Sequence, residues 1–350
     1  PIDGGLFGAA ETETETAASK ASLGNYRCLC TAEKVKAYAQ ELLGMDRFAF
    51  DTETTSLRAR EAALVGLSFS TKAGEAVYIP VDSPDPSQHL GLSEVLEILQ
   101  PVFAQEGIRK VAHNLKYDLQ ILRGAGFEVV GPFGDTMISS YLLDSTRSSH
   151  GLDALSLGLL GMEMTPISTL IGKGKSQIGF AEVPLDKAAD YAAEDADATL
   201  RLDDLLQPKL VAEDLDRLAQ DVELPLVEVL AEMEWNGIGV DLTELARQQV
   251  RLQDRIEEIA AEVAAHAPHP FNPDSPKQLS AALFNAEDAD APGLGLKPIK
   301  KGKSGTPSTD LEVLEKLRDD PGVDTPIPAL VIEYRQLTKL VGTYLASLPE

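Results

Sequence analysis

The chain has 350 residues, 43% hydrophobic and 25% charged, which suits a globular protein of two domains at roughly 100–200 residues each. Its formal charge is −25, from 31 basic and 56 acidic residues. That excludes a generic basic nucleic-acid coat, but not an enzyme with a local basic groove and carboxylates gathered around metal ions. No run of about 18 apolar residues is present to span a membrane, and no basic segment precedes an apolar one as in a secretory signal.

The acidity is spread out. Residues 1–210 hold 18 basic and 30 acidic residues, a net of −12; residues 211–350 hold 13 and 26, a net of −13. Aromatics are 5%, too few for extensive base-stacking platforms. Cys28 and Cys30, one residue apart, are too few for a disulfide framework and poorly placed to pair, which points to a reducing, intracellular setting. The first residue is Pro rather than Met, as in a fragment.

Residues 1–24, with a Gly/Ala start and the run ETETET, cannot bury a core and read as a disordered linker. A helix is predicted over 32–43, between Thr31 as N-cap and Gly44. Strands follow at 47–53, 63–71 and 76–81. A helix is expected at 92–105, a strand at 107–113, and helices at 115–126, 136–143, 152–160 and 186–206. This order predicts an α/β domain with a mixed sheet over 25–210. After Pro208 the pattern becomes helical through 213–265, broken by the turn signal WNGIGVD at 235–241, with Trp235 expected in the helical core. Ser275–Gln278 and Thr309–Glu312 read as capping boxes that open two later helices. Between them, 286–307 reads as a long exposed basic loop. The second half, 211–350, is thus expected to be an all-α module, with the boundary near 208–212.

Four acidic residues in three separate segments carry the chemical signal. Asp51 and Glu53 sit at i and i+2 on a strand, so both project from one face, while Phe48 and Phe50 face the other way. Asp118 lies near the start of a helix in NLKYD. Asp195 lies on a helix in YAAEDAD, with Tyr191 one turn earlier on the same face. Taken singly, each has a plainer reading: a strand edge, an acid at a helix N-terminus, a solvated helix face. Gathered at one site, four carboxylates repel each other unless hard divalent cations neutralise them. Two such ions about 4 Å apart activate water and stabilise the leaving oxygen of a phosphodiester.

FAFDTETTSL, KVAHNLKYD and YAAEDADATL resemble the three exonuclease motifs of the bacterial DNA polymerase I family, in the DEDD superfamily. The tyrosine four residues before the last aspartate marks the DEDDy subgroup. FGDTMISSYLL and GKGKSQIGF also resemble that family. So do EMEWNGIGVD, FNPDSPKQL, GTPSTDLEVLEKL and IEYRQLTKLVGTYLASLP, which resemble the start and thumb of the polymerase domain. The resemblance covers about residues 25–350. It implies a ribonuclease H-like exonuclease fold for the first domain. It also implies ligation of two divalent ions, Mg2+ before Mn2+ or Zn2+, by Asp51, Glu53, Asp118 and Asp195. Tyr191 would orient the attacking water, because a phenol with a pKa of about 10 is a poor base at neutral pH. Thr54 would contact the 3′ end, Leu57 the terminal base, and Asn114 would support the site; Leu57 equally reads as a core residue after the strand. Lys297, Lys300, Lys301 and Lys303 would grip duplex phosphates without sequence specificity, or form a solvated loop.

Nothing like the palm motifs DYSQIELR or HDE is present, so the chain as given is not expected to polymerise DNA, although its parent is. GKGKS (172–176) lacks the first glycine of a phosphate-binding loop, with Thr169 in its place, and has no preceding strand. His113 and His150 read as structural residues or as supports behind the site. The expected function is 3′→5′ hydrolysis of DNA by a monomeric, cytoplasmic, nucleoid-associated protein. Its partners would be a single-stranded 3′ end at the first domain and duplex DNA at the thumb, with no membrane. The alternatives are a ribonuclease D-like RNA exonuclease and a non-catalytic DNA clamp.

Overall fold

The computed structural model describes residues 24–302 and 305–349; the expected linker over 1–24 falls, apart from Gly24, outside the described residues, as does Lys303. Two compact units divide at Gly237/Ile238.

The first unit is built on β1 (Asn25–Cys28), α1 (Ala32–Leu43), β2 (Arg47–Thr54), β3 (Leu64–Lys72) and β4 (Glu75–Pro80). Then come α2 (Leu92–Phe103), β5 (Arg109–Ala112), α3 (Leu115–Gly124), β6 (Phe133–Asp135) and α4 (Thr136–Leu143). The short α5 (Leu152–Leu155) and α6 (Ser168–Ile171) lead to α7 (Leu185–Ala212), α8 (Asp216–Leu218) and α9 (Leu224–Asn236). The sheet is mixed, as expected, with strand order β1-β4-β3-β2-β5-β6. β2 runs antiparallel to β3 and parallel to β5.

Alternation along β2 decides which layer each residue joins. Phe48 and Phe50, both fully buried, meet Phe69 and Phe103 edge-on at centroid distances of 5.6–6.2 Å. Such pairs contribute about 0.5–1.5 kcal/mol each beyond the area they bury. Ala49 faces the other way and packs with Val111 and Leu200 beneath α7. Small residues on α7 (Ala188, Ala192, Ala193 and Ala196) bring the helix backbone close to that sheet face.

Two buried aspartates tie α7 down. Asp197 accepts from Tyr26 Oη (2.9 Å), the Gly74 N–H (2.7 Å) and Arg201 Nε (2.9 Å). Asp203 accepts from Arg47 Nη1 (2.6 Å) and from both terminal nitrogens of Arg109 (2.7 and 2.9 Å). This anchorage carries α7 past Pro208, where the sequence pattern ends the helix at 206. Leu206 and Leu210 stay buried, and that burial offsets the lost N–H. The compact unit also includes α9, beyond the expected boundary near 208–212. Leu224 and Val227 of α9 join the main core.

Trp235 is not in the helical module's core. It lies in the last turn of α9, flanked by the guanidinium groups of Arg60 and Arg123 at 5.5 and 4.7 Å from its ring. The break at 235–241 is real: Gly237 caps α9 with φ +67°, a conformation that disfavours side chains.

The second unit is helical: α10 (Leu242–His266), α11 (Pro276–Phe284), α12 (Leu311–Arg318) and α13 (Ile327–Leu340). Its core gathers Ile259, Val263, Leu279, Leu283, Leu314 and Val331. Ser275 caps α11 as expected, but Asp310 rather than Thr309 caps α12, accepting from the Val313 N–H at 3.0 Å. Among the described residues, no helix is long and apolar enough to cross a membrane.

Candidate active site

Asp51 and Glu53 stand at the C-terminal end of β2, beyond its pairing with β5, which stops at Ala49↔Val111. The pairing with β3 slips between Glu53 and Thr54, which bends the strand end beside these carboxylates. Both side chains point toward α7, and Asp195 comes down from that helix to meet them. One ligand oxygen from each of Asp51, Glu53 and Asp195 lies within 4.8 Å of the others.

Asp118 lies outside the 4.8 Å trio but acts on it, with Asp51 the first charge that it feels. It is 2% exposed on α3 and accepts from the Thr52 N–H (3.1 Å) and Thr52 Oγ1 (2.7 Å). Thr52 lies between Asp51 and Glu53 on β2, so Asp118 is tied to the strand segment that carries them.

The electrostatics are those of an uncompensated cluster. Burial pushes Asp51 up to about 7. Glu53 is raised well above the carboxylate range by burial, then by Asp51, Asp195 and Asp118. Asp195 is raised by burial, Asp51, Glu194 and Asp153, with partial relief from the Tyr191 hydroxyl. Asp118 is raised by burial and Asp51, and Thr52 opposes the shift. Glu53 Oε1 is buried and has no hydrogen-bond partner among the described residues. Repelling carboxylates with an unsatisfied acceptor, and no cationic side chain among their main influences, fit hard divalent cations, which take oxygen donors. The residues present therefore suit such ions.

Tyr191 packs its ring against Phe180 at 5.9 Å between centroids. Burial, then Asp195, Glu53 and Asp51, push its phenol above its ordinary value, so it stays protonated and acts as a donor. Leu57 is 93% exposed, which removes the core reading of that residue. Thr54 Oγ1 is engaged by Tyr117 Oη (2.6 Å) and donates to the Ser56 carbonyl (3.1 Å). Asn114 sits left-handed at the start of α3, with φ +69°, and its backbone N–H donates to Asp135.

In the second unit, Lys297 and Lys301 are exposed, while Lys300 Nζ is paired with Asp310 (3.0 Å) and Glu312 (3.3 Å). Lys173 and Lys175 lie on an exposed loop. His113 and His150 meet hydroxyls through Nδ1: Thr136 Oγ1 at 2.8 Å and Ser140 Oγ at 2.9 Å. The sequence reading missed Asp135, Asp197 and Asp203. Asp135 accepts from the N–H groups of Leu115, Met137 and Ile138, knitting the starts of α3 and α4 together.

A carboxylate cluster hung from the end of a central strand and one long helix defines a cation-dependent centre. Residues 26–211 match the family described as 3′-5′ exonuclease, and residues 242–350 match DNA polymerase family A. The chain is 38% identical to DNA polymerase I of Pseudomonas aeruginosa, over 90% of this chain and 34% of that protein. It is 40% identical to DNA polymerase I of Chloroflexus aurantiacus, over 87% and 31%. A solved structure, the POL domain of Pol1 from M. smegmatis in complex with DNA primer-template and dNTP, superposes with a TM-score of 0.70 at 26% identity. It covers 92% of this chain and 50% of that one. The chain belongs to the 3′–5′ exonuclease family, with the beginning of a family A polymerase region following it. It spans about a third of the length of the curated relatives it matches.

Proposed function

We propose that this chain is the proofreading exonuclease portion of a DNA polymerase I-like protein, hydrolysing 3′-terminal nucleotides from single-stranded or frayed DNA. The observation that carries this reading is the trio Asp51, Glu53 and Asp195, mutually within 4.8 Å and uncompensated, inside the region that matches the exonuclease family.

Asp51, Glu53, Asp195 and Asp118 would hold two divalent cations, with Mg2+ as the biological ion. When bound, such ions lower the pKa of water and stabilise charge on phosphodiester oxygens. The chain's own residues do the positioning. Tyr191, protonated, donates a hydrogen bond that orients water toward the terminal phosphorus. The water oxygen bonds to phosphorus as the P–O3′ bond breaks, releasing a nucleoside monophosphate. Leu57 offers its exposed side chain to the terminal base. Thr54 contacts the 3′ end, and Asn114 supports the site by fixing the start of α3.

Residues 25–210 form the exonuclease domain in this reading. Residues 211–350 form the N-terminal and thumb part of a polymerase domain that holds duplex DNA, with Lys297, Lys300, Lys301 and Lys303 as its phosphate contacts. Nucleotide addition belongs to the parent protein, which works as a cytoplasmic monomer on the nucleoid.

The test is incubation of the full chain with end-labelled single-stranded DNA and RNA of one sequence, with Mg2+ and with EDTA. Mg2+-dependent release of deoxynucleoside monophosphates from the 3′ end is expected. Degradation of RNA alone would replace this reading with RNA processing. Binding of DNA without hydrolysis would replace it with a clamp.

A further inference from the structure

Beside the carboxylate trio the sheet carries a second buried polar group. Asp51 on β2 pairs with Ser68 on β3, and Ser68 with Tyr78 on β4, so the three share one row and one face of the sheet. Glu53 pairs with Gly66 in the next row. The Tyr78 ring leans into that row. A side chain on Gly66 would start 2.2 Å from Tyr78 Oη and 2.4 Å from its ring. The tyrosine hydroxyl therefore fills the space a residue opposite Glu53 would use. Directly opposed side chains begin about 4.5–5.5 Å apart.

Tyr78 is fully buried, with Val65, Phe180, Ala188 and Ala192 packed around it. Among the described residues its hydroxyl has no hydrogen-bond partner, and neither has Glu53 Oε1. Each such orphan costs about 1–3 kcal/mol. The phenol is a donor and the carboxylate an acceptor, so each supplies what the other lacks. Glu53 is also the first charge, after burial itself, that acts on the Tyr78 hydroxyl.

We propose that Tyr78 is a positioning residue for Glu53: the two are not bonded to each other in this structure, and when cations draw the Glu53 carboxylate to Asp51 and Asp195 the Tyr78 hydroxyl donates to it and fixes that orientation. Gly66 is the partner that makes this possible, because any side chain there would push the ring away. The inference rests on the cation-binding reading of the trio. Tyr78 does not touch substrate, so its effect is on the ligand's orientation. Residues that orient metal ligands typically govern affinity by about 10–100-fold.

The test is Tyr78→Phe in the full chain, which keeps the ring and removes one oxygen. Mn2+ is titrated into the protein without DNA, and binding is read by the rise in melting temperature and by the electron-spin signal of free Mn2+. Tyr26→Phe is the control, since it removes a hydroxyl from Asp197 rather than from the trio. The Tyr78 variant is expected to melt, without metal, no lower than the parent, because a buried orphan is gone. Its half-saturating Mn2+ concentration is expected to rise about tenfold, while Tyr26→Phe leaves that concentration unchanged. Exonuclease activity of the Tyr78 variant should recover as Mn2+ is raised. Half-saturation within twofold of the parent would overturn the positioning role and leave the cation reading standing. Equal weakening in Tyr26→Phe would also overturn it. A parent that does not bind Mn2+ would overturn both.

Discussion

Helix α7 carries two kinds of buried aspartate, Asp195 on one hand and Asp197 and Asp203, two and eight residues further on, on the other. Asp195 is 9% exposed and faces Asp51 and Glu53. Asp197 and Asp203 are 0% and 1% exposed, and each meets donors: Tyr26, Gly74 and Arg201 for one, Arg47 and Arg109 for the other. Burial is the same in kind, so burial does not separate them. The company each keeps does. A carboxylate given arginines and N–H groups is an anchor, and its charge is spent on the fold. A carboxylate given other carboxylates is destabilising when charged in the bare protein, and a cation is what restores that charge.

The sharpest break of this comparison is to remove one acid of each kind. Asp195→Ala, or Asp118→Ala, is expected to lower exonuclease turnover roughly 10⁴-fold, because several kcal/mol of charge stabilisation goes with the cation. Without metal, melting should hold or rise, since like charges have been separated. Full turnover in either variant would sink the ligand assignment. Tyr191→Phe removes only an oriented donor, so a loss of about 10²-fold is expected, at the low end for such contacts. Mn2+ affinity should persist. Unchanged turnover at saturating substrate would take the hydroxyl out of the limiting step.

Asp203→Ala should do the reverse: stability falls and chemistry survives. Removing one partner of a buried pair costs about 3–5 kcal/mol. Arg47 and Arg109 keep 36% and 19% of their side-chain surface, so water recovers part of this. About 2–3 kcal/mol by urea unfolding is the expectation, with turnover per folded molecule within a fewfold of the parent. A larger loss of turnover than of stability would place Asp203 with the functional set.

A buried base sharpens the contrast between anchors and ligands. Burial lowers His113 to about 4, against ~6.5 for an unfolded chain, with a backbone hydrogen bond at His150 opposing the shift. Between those values the unfolded state binds more protons, so falling pH removes stability, and above about 6.5 the group contributes nothing. His113→Gln should abolish this dependence. Relative to the variant, the parent should lose about 2 kcal/mol on going from pH 7.5 to pH 5 without metal. The raised carboxylates shift both proteins the other way and cancel in the difference. A constant difference between the two proteins across that range would show that His113 titrates in the fold as it does in the unfolded chain.

Much of the site was legible because its signals are local. Tyr191 and Asp195 lie one turn apart, so helix periodicity alone put them on a common face. Asp51 and Glu53 follow from strand alternation beside two phenylalanines. What stayed hidden depends on distant partners. Nothing near Asp197 or Asp203 announces Tyr26 or Arg47, more than 150 residues away. Nothing in NLKYD announces that Asp118 meets Thr52, which lies 66 residues away between Asp51 and Glu53. β1 and β6, four and three residues long, are too short to show a period. Tyr78 read as one apolar-strand residue among several, and only its approach to Gly66 sets it apart. Pro208 read as a stop because propensity is local, whereas the burial that overrides it is not.

The basic loop of the second unit offers the smallest effect and a parallel contrast, since its lysines too divide by company. Lys300 is tied to Asp310 and Glu312, whereas Lys297 and Lys301 are exposed. Changing Lys297, Lys300, Lys301 and Lys303 to Gln should weaken duplex binding for all sequences alike. It should also flatten the salt dependence, because each lost phosphate contact removes roughly 0.9 from the log–log slope. Lys300→Gln alone should contribute less than Lys301→Gln, because its charge is already countered by two carboxylates. Hydrolysis of a short single strand should hardly change. Net charge falls from −25 to −29 when four positive charges are lost, which adds long-range repulsion toward DNA everywhere on the protein. Lys34, Lys36, Lys72 and Lys209, all exposed, therefore supply the matched control. If that quadruple variant loses as much duplex affinity and as much slope, the loop is a solvated feature. If only the loop variant does, the phosphate contacts are local, and the ranking of Lys301 above Lys300 decides whether ion pairing inside the protein sets which lysines make them.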